Sequence, residues 1–339
     1  MSTALVARLD SAGDVLITGP AVRAVAAAHD RLVFLAGPRG RAAAELLPGV
    51  DEVIEWQAPW VDFDSPDLTA DHVESLVKQL RDLGPDRVFI FTSFHQSPLP
   101  LALICRMASV RWIAAICEDY PGTLLDLRHH VADGLPESWR ALSLAEAGGH
   151  ALPPNDDGRL RVRSVGAIPE HLRDSIGTAP FVVFHPCAAV PARMPSPRRS
   201  AAMVTALVGA GYRVVVTGSE SEFAVAEQVS AGAAINLAGR TALPELAAVY
   251  SAARAVVAPN TGPAHLAAAV GAPVVSLFAP VVPAAQWKPL GLPVIVLGDQ
   301  EAPCRATRAR RCPVPHHPCL DGITDAELLD AVTQLGGRP

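Results

Sequence analysis

The sequence is poor in lysine and cysteine and, over one long stretch, has no charge at all. Of 28 basic residues only Lys78 and Lys288 are lysines, which with the alanine excess reads as coding bias and carries no function. A formal charge of −6 offers no basic footprint for a phosphate backbone, so nucleic acid is not an expected partner. Six cysteines, at 105, 117, 187, 304, 312 and 319, are too few for a disulfide scaffold in 339 residues. The expectation is a reduced, cytoplasmic protein. The opening "MSTALVARLDSAGDVL" breaks its apolar stretch with Arg8 and Asp10, so neither a secretory signal nor an anchor is expected there. From Ala255 to Trp287 there is no Asp, Glu, Lys or Arg, a length that suits a membrane span. Pro259, Pro263, Pro273, Pro280 and Pro283 each remove a backbone donor and interrupt a helix there. No transmembrane segment is expected.

What is present is a large apolar fraction, 50%, in a chain long enough for two cores, residues 1–165 and 166–339. In the first half, strands are expected at Ala4 to Leu9, Leu32 to Ala36, Glu52 to Trp56, Arg87 to Phe91 and Trp112 to Cys117, with a clear helix from Ala70 to Leu83. The pattern lapses over residues 148–180, rich in Pro, Gly and charge, where a linker and an edge segment are expected. It resumes with strands at Phe181 to His185, Arg213 to Thr217, Ile235 to Ala238, Ala255 to Ala258, Val274 to Phe278 and Val294 to Leu297. Helices near 198–209, 220–231 and 244–253 fill the gaps. Such alternation implies parallel sheets covered on both faces, and hence an α/β protein of two Rossmann-like domains facing across a cleft.

Four segments could carry chemistry. In "VVAPNTGPAHLAAAVGAPVVSLFAP", residues 256–280, a strand runs through a loop into a helix. Thr261 and Gly262 fall at the helix start, where free amides and the positive end of the macrodipole suit an anion. His265 follows one turn later, either as a ligand or as packing. In "RLDSAGDVLITG" Gly13 permits a sharp turn and Asp14 is either a first-turn helix carboxylate or a general base; Asp10 is a weaker candidate that may simply end the strand. In "VVVTGSESEF" Glu220 and Glu222 can accept from ribose hydroxyls or serve as first-turn acids. The loop "HPCAAVPARMPSPRR" holds Arg193, Arg198 and Arg199, whose planar forks suit a diphosphate. The segment 304–319 has three Cys with His316 and His317, yet its C-x7-C-x6-C spacing fits no compact zinc site. No metal is expected.

Taken in order, "SAGDVLITGPAVRAV", "GYRVVVTGSESE", "NLAGRTALPELAAVYSAARAVVAPNTGPAHLAAAVGAPVVSLFAP" and the Cys segment ending "CLDGITDAELLDAV" resemble glycosyltransferase family 9, the heptosyltransferase family. The matching stretches run from residue 8 to about residue 333. The resemblance implies a GT-B fold, with an acceptor-binding domain at 1–165 and a nucleotide-sugar-binding domain at 166–339. It implies inverting transfer of a sugar, typically a heptose, from an ADP-sugar without metal or other cofactor. The acceptor is a saccharide, lipid-linked or small-molecule hydroxyl, with transient contact to a membrane surface where it is lipid-linked. By the same resemblance Asp14 is the catalytic base, Thr261, Gly262 and His265 bind the diphosphate, Glu222 contacts the ribose, and Thr241, Ala242 and Leu243 line the adenine pocket.

Three departures from the family pattern stand out. Asn260-Thr261-Gly262 replaces D-T-G and removes a charge near the nucleotide. Ala192-Arg193-Met194-Pro195 replaces K-x-W-P, so that Arg193 substitutes for the Lys from the adjacent position. Cys187 replaces a Gly. These leave two alternatives to an active transferase: a nucleotide-sugar-binding protein without turnover, and a nucleotide-sugar epimerase of the same architecture.

Overall fold

The computed structural model describes residues 1–61, 65, 67–93, 95–291 and 293–339. The chain divides into two compact units, Met1–Arg163 and Ser164–Pro339, each built on its own parallel sheet.

In the first unit the strands are β1 (Thr3–Arg8), β2 (Arg31–Ala36), β3 (Glu52–Glu55), β4 (Arg87–Ile90), β5 (Ile113–Ile116) and β6 (Leu127–His129). They lie in the order β3-β2-β1-β4-β5-β6, and every ladder is parallel. The helices are α1 (Ala12–Ile17), α2 (Gly19–Ala26), α3 (Arg41–Leu46), α4 (Ala70–Leu83), α5 (Leu99–Met107) and α6 (Glu137–Ala147). β1, β2, β4 and β5 are apolar along most of their length because both faces of the sheet are covered, which a parallel arrangement requires. Helix α4 shows how local chemistry sets its own ends. Thr69 caps it by accepting from the amide of His72, one face buries Leu76, Val77 and Leu80, and Gly84 closes it with φ of 56°. On one face of the sheet Leu5, Val33, Leu80, Val88 and Leu101 form a continuous core.

The second unit repeats the plan with β7 (Phe181–Phe184), β8 (Arg213–Val216), β9 (Ile235–Asn236), β10 (Val256–Pro259), β11 (Val274–Leu277) and β12 (Val294–Leu297), ordered β12-β11-β10-β7-β8-β9. Its helices are α7 (Glu170–Ile176), α8 (Pro197–Gly209), α9 (Phe223–Ser230), α10 (Leu243–Ala252), α11 (Gly262–Ala269), α12 (Ala284–Trp287), α13 (Pro318–Asp321) and α14 (Asp325–Gly336). Val182, Phe184, Val204, Val216, Val257 and Leu328 belong to its core. The uncharged stretch from 255 to 287 is thus β10, α11 and β11, largely buried in this layer, followed by the partly exposed α12. Among the described residues no helix is long and apolar enough to cross a membrane.

Each sheet starts in its own middle. The chain enters at β1, adds β2 and β3 on one side, then crosses over to β4; likewise it enters at β7, adds β8 and β9, and crosses to β10. The loops leaving β1 and β4 therefore diverge, as do those leaving β7 and β10. Such points of reversal at the carboxyl ends of strands are where open α/β sheets bind ligands.

Residues 148–180, where a linker and an edge segment were expected, hold no strand: the segment carries α7 and an extended stretch fastened to the first unit, with Arg23 gripping Asp156 at 2.5 and 2.9 Å and the Arg163 amide donating to Leu46 at 2.7 Å. Pro153, Pro154 and Gly158 deprive that stretch of the donors and side chains a strand needs. The edge strand of the first sheet is instead β6, whose three half-buried residues are too few for a period to show.

Gly37, at the end of β2, has no room for a side chain, because a Cβ there would press on the carbonyl oxygen of Leu9. That carbonyl belongs to the loop carrying Asp10. Gly37→Ala is expected to cost about 1–3 kcal/mol, read as a melting point lower by about 2–10 °C; an unchanged melting point would show that the contact yields freely.

Candidate functional site

At the reversal point of the first sheet the loop after β1 meets the loop after β4 through buried charge. Arg8, the last residue of β1, is 4% exposed. Its Nη2 reaches the Asp10 carboxylate at 3.0 Å and that of Asp14 at 3.2 Å, and donates to the Ser93 hydroxyl at 2.9 Å. Ser93 in turn donates to Asp10 at 2.9 Å. The first turn of α6 adds Glu137 and Arg140, 3.8 Å apart, and Arg140 donates to the Thr92 carbonyl at 3.0 Å. Burial alone would pull the Arg8 guanidinium down; the charges of Asp10, Asp14 and Glu137 hold it above its ordinary value. Burial pushes the carboxyl groups of Asp10 and Glu137 up, against the pull of Arg8 and, for Glu137, Arg140.

Asp14 is the first-turn helix carboxylate its sequence position allowed, and it is also an ion-pair partner. One oxygen, Oδ2, accepts from the Ser11 hydroxyl at 2.6 Å and more weakly from the Ser11 amide at 3.4 Å, the reciprocal half of a capping box at the start of α1. The other, Oδ1, faces Arg8. With 20% of its side chain exposed, it is the member of the cluster that meets solvent most. Asp10, the weaker candidate in the sequence, is a buried partner in the network. Ser93, Glu137 and Arg140 carry no motif; only the fold brings them to this point.

In the second unit the nucleotide-binding candidates fall on the loops at the corresponding end of the sheet. Thr261 precedes α11 in an extended conformation, and its side chain accepts no capping hydrogen bond. Ala264 donates its amide to the Thr261 carbonyl at 3.0 Å and Pro263 has none, so at the start of this eight-residue helix the Gly262 amide is left for another acceptor. Asn260 is 2% exposed, and its Nδ2 has no partner among the described residues. His265 is buried in the first turn, and Gly262 opens the helix. Glu222 accepts from the Ser219 amide at 2.7 Å. The loop bearing Thr241 and Ala242 is tied to the Glu222 loop by the Gly239 amide, which donates to Gly218 at 3.0 Å, and Leu243 begins α10. The structure thus groups Glu222 with Thr241–Leu243, and sets Asn260, Thr261 and His265 in the loop and helix that follow β10, the strand beside β7.

After β7, Arg193 is half-buried in a single 3-10 turn, Pro191–Arg193, braced by the Ala192 amide donating to Arg310 at 3.0 Å. That carbonyl lies in the Cys-rich segment, which is folded against the core: Cys304 and Cys319 are buried, and burial pushes the Cys319 thiol up to about 12. Among the described residues no three His, Cys, Asp or Glu side chains are arranged to hold a metal ion.

A second buried polar group was not legible in the sequence. His185 follows β7, with Nδ1 lying 3.1 Å from Thr217 Oγ1. Thr217 Oγ1 is 3.2 Å from the Tyr250 hydroxyl, itself 3.5 Å from the same Nδ1. Burial pulls the imidazole down to about 4, against the opposing charge of Glu222, so it is neutral at physiological pH.

The model of glycosyltransferase family 9 (heptosyltransferase) matches residues 123–317. Lipopolysaccharide heptosyltransferase 3 of Escherichia coli is 30% identical over 164 residues, 46% of this chain and 46% of that protein; the chain thus spans about half the length of the curated relative it matches. Among solved structures, E. coli ADP-heptose LPS heptosyltransferase II superimposes with a TM-score of 0.78 at 20% identity, over 99% of this chain and 98% of that one. E. coli heptosyltransferase WaaC with ADP-2-deoxy-2-fluoro heptose gives 0.68 at 19% identity, over 98% and 99%. These likenesses show a GT-B fold.

Removing the central cation of the first cluster should be costly, because it strands two buried or half-buried carboxylates. Arg8→Leu is expected to lose about 3–5 kcal/mol in urea unfolding, and Arg8→Leu with Asp10→Leu less than the sum of the two single changes. A loss under about 1 kcal/mol, the worth of an exposed pair, would show that the cluster is held by other contacts.

Proposed function

This chain belongs to glycosyltransferase family 9, and from that premise we propose that it transfers a sugar, a heptose, from an ADP-sugar to a hydroxyl acceptor. Transfer proceeds with inversion at the anomeric carbon and without a metal ion. The observation that carries the reading is the chemistry each unit presents at its own reversal point. The first unit presents a partly exposed carboxylate, Asp14, held from behind by a buried guanidinium. The second presents a helix start at Gly262 that the Thr261 side chain does not cap, a place that attracts the phosphates of a nucleotide.

The chemistry follows from those groups. The acceptor oxygen attacks the anomeric carbon as the bond to the diphosphate oxygen breaks, and the electron pair leaves with ADP. Asp14 takes the acceptor proton as its oxygen becomes electron-poor. Because Ser11 and Arg8 fix both of its oxygens, the carboxylate needs no reorientation at that moment. Negative charge gathers on the departing diphosphate, where the amides at Thr261 and Gly262 and the imidazole of His265 meet it. Glu222 and the segment Thr241–Leu243 hold the ribose and adenine, and Arg193 adds positive charge beside the phosphates. The solved neighbour that carries an ADP-heptose analogue supports this donor class. The names of the curated relatives, a lipopolysaccharide and a lipooligosaccharide heptosyltransferase, support a saccharide or lipid-linked acceptor.

Two measurements test the reading. Calorimetry with ADP in excess chelator should show binding; a requirement for magnesium, or a strong preference for UDP, would remove the proposed donor site. Asp14→Asn should melt near the parent temperature and keep its ADP affinity, since Asn still offers Ser11 an oxygen. Its sugar transfer, followed by mass spectrometry of the product, should fall by about 10² to 10⁴. Transfer at the parent rate would leave Asp14 a helix cap only.

A further inference from the structure

The trio His185, Thr217 and Tyr250 is enclosed and of fixed composition, so its protons can be counted. It holds two hydroxyl hydrogens and, in neutral imidazole, one ring hydrogen. Among the described residues neither Thr217 Oγ1 nor the Tyr250 hydroxyl has a side-chain partner outside the trio. Suppose Nδ1 carries the ring hydrogen and donates to Thr217. Thr217 must then donate to Tyr250, and the tyrosine hydrogen, at a fully buried residue, has no acceptor left. An orphaned buried donor is the costly outcome. If instead Tyr250 donates to Thr217 and Thr217 donates to Nδ1, both hydroxyl hydrogens are used and the ring hydrogen moves to Nε2, the edge that is not fully enclosed. The hydrogen-bond inventory therefore selects the tautomer in which Nδ1 accepts and Nε2 bears the proton.

Nε2 is the edge of the ring with no protein partner among the described residues. The fully enclosed, unpartnered polar atoms include Asn260 Nδ2 and Ser276 Oγ but not His185 Nε2, so this edge carries the little exposure, 5%, that the residue keeps. Its place follows from the ladder. The His185 amide donates to the Val257 carbonyl at 2.8 Å, and Val257 pairs with Phe184. His185 thus stands across from Ala258, on the strand beside the one that runs into Asn260, Thr261 and α11. It lies on the β7 side of the reversal point, with the anion-attracting helix start on the β10 side.

We infer that His185 is a binding residue of the second unit: locked by Thr217 and Tyr250 with its proton on Nε2, it donates a hydrogen bond to an anionic oxygen of a diphosphate-bearing ligand. The nature of that ligand, a nucleoside diphosphate, rests on the donor reading above; the tautomer lock does not. A neutral donor suits this position, since it binds phosphate without the cost of burying a cation and does not change its charge between pH 6 and 8. Thr217 and Tyr250 act through the imidazole as positioning residues.

The test joins nuclear magnetic resonance of the ¹⁵N-labelled full chain with calorimetry in chelator, using ADP and inorganic pyrophosphate as probes. In the free protein at pH 7, long-range ring correlations should show His185 protonated at Nε2, and ADP should move that signal. His185→Leu should weaken ADP and pyrophosphate about 10- to 100-fold, the loss of one charge-assisted hydrogen bond, and His185→Gln should recover part of it by returning an N–H. Thr217→Val should mix the two tautomers and weaken binding less; it remains informative if His185→Leu fails to fold. A proton on Nδ1 in the parent, or ADP binding that leaves the His185 signal in place, would overturn the inference while leaving the donor reading standing. Pyrophosphate binding that moves the signal, without any affinity for ADP beyond it, would support the inference and overturn the adenine-nucleotide reading. A parent that binds neither probe overturns both.

Discussion

Parallel strand pairing is the constraint from which the rest of this molecule follows. A parallel neighbour can be reached only by a crossover, and crossovers of one hand cover one face of the sheet at a time. To cover both faces each unit starts in the middle of its sheet and reverses once, between β1 and β4 in one and β7 and β10 in the other. At those two points adjacent loops part, and buried strand ends are left without a covering helix. Arg8, Asp10 and Ser93 cluster at the first, and His185 and Asn260 at the second, because that is where a polar side chain leaving a strand end finds other polar groups.

The two units answer the same topological fact with different electrostatics. The first gathers ions, with one guanidinium facing two carboxylates directly and a third at longer range. Such a cluster is expensive to desolvate, and each member depends on the others to stay charged. The second avoids ions inside. It uses a neutral imidazole, two hydroxyls and an amide, and leaves the Gly262 amide at the start of α11 uncapped by a side chain. The first arrangement suits accepting a proton; the second suits receiving negative charge from a ligand.

The residues that depart from the family pattern look different once placed. Ala192 is buried in the core, and its amide is tied to Arg310. The half-buried neighbour Arg193 is thus the basic side chain at this turn. Cys187 is buried, and its thiol is pushed up to about 12 by burial with a contribution from Glu222, so it behaves as a small apolar residue. Asn260 is enclosed with an unpartnered Nδ2, and an uncharged amide is tolerated there far better than a carboxylate lacking a partner. The Cys-rich segment acts as a brace, since Arg310 within it holds the turn bearing Arg193.

Strand and helix order was readable from the sequence because it is written in short-range pattern. Runs such as "RLVFLA" and "FVVF" can only be strands buried on both faces, and Thr69 with Gly84 marks both ends of α4. The same short range made the N-T-G-P-A-H loop and the G-D turn visible, since each lies within one turn of chain. What the sequence could not contain was any contact joining distant segments. Ser93 reaches Asp10 across 83 positions and Tyr250 reaches His185 across 65, and neither pair leaves a periodicity or motif behind. Only the register of parallel ladders decides which strand ends become neighbours. That is why the sequence by itself determined the class of fold, whereas tertiary structure alone decided that Asp14 is both cap and ion-pair partner, and which nitrogen of His185 faces Thr217.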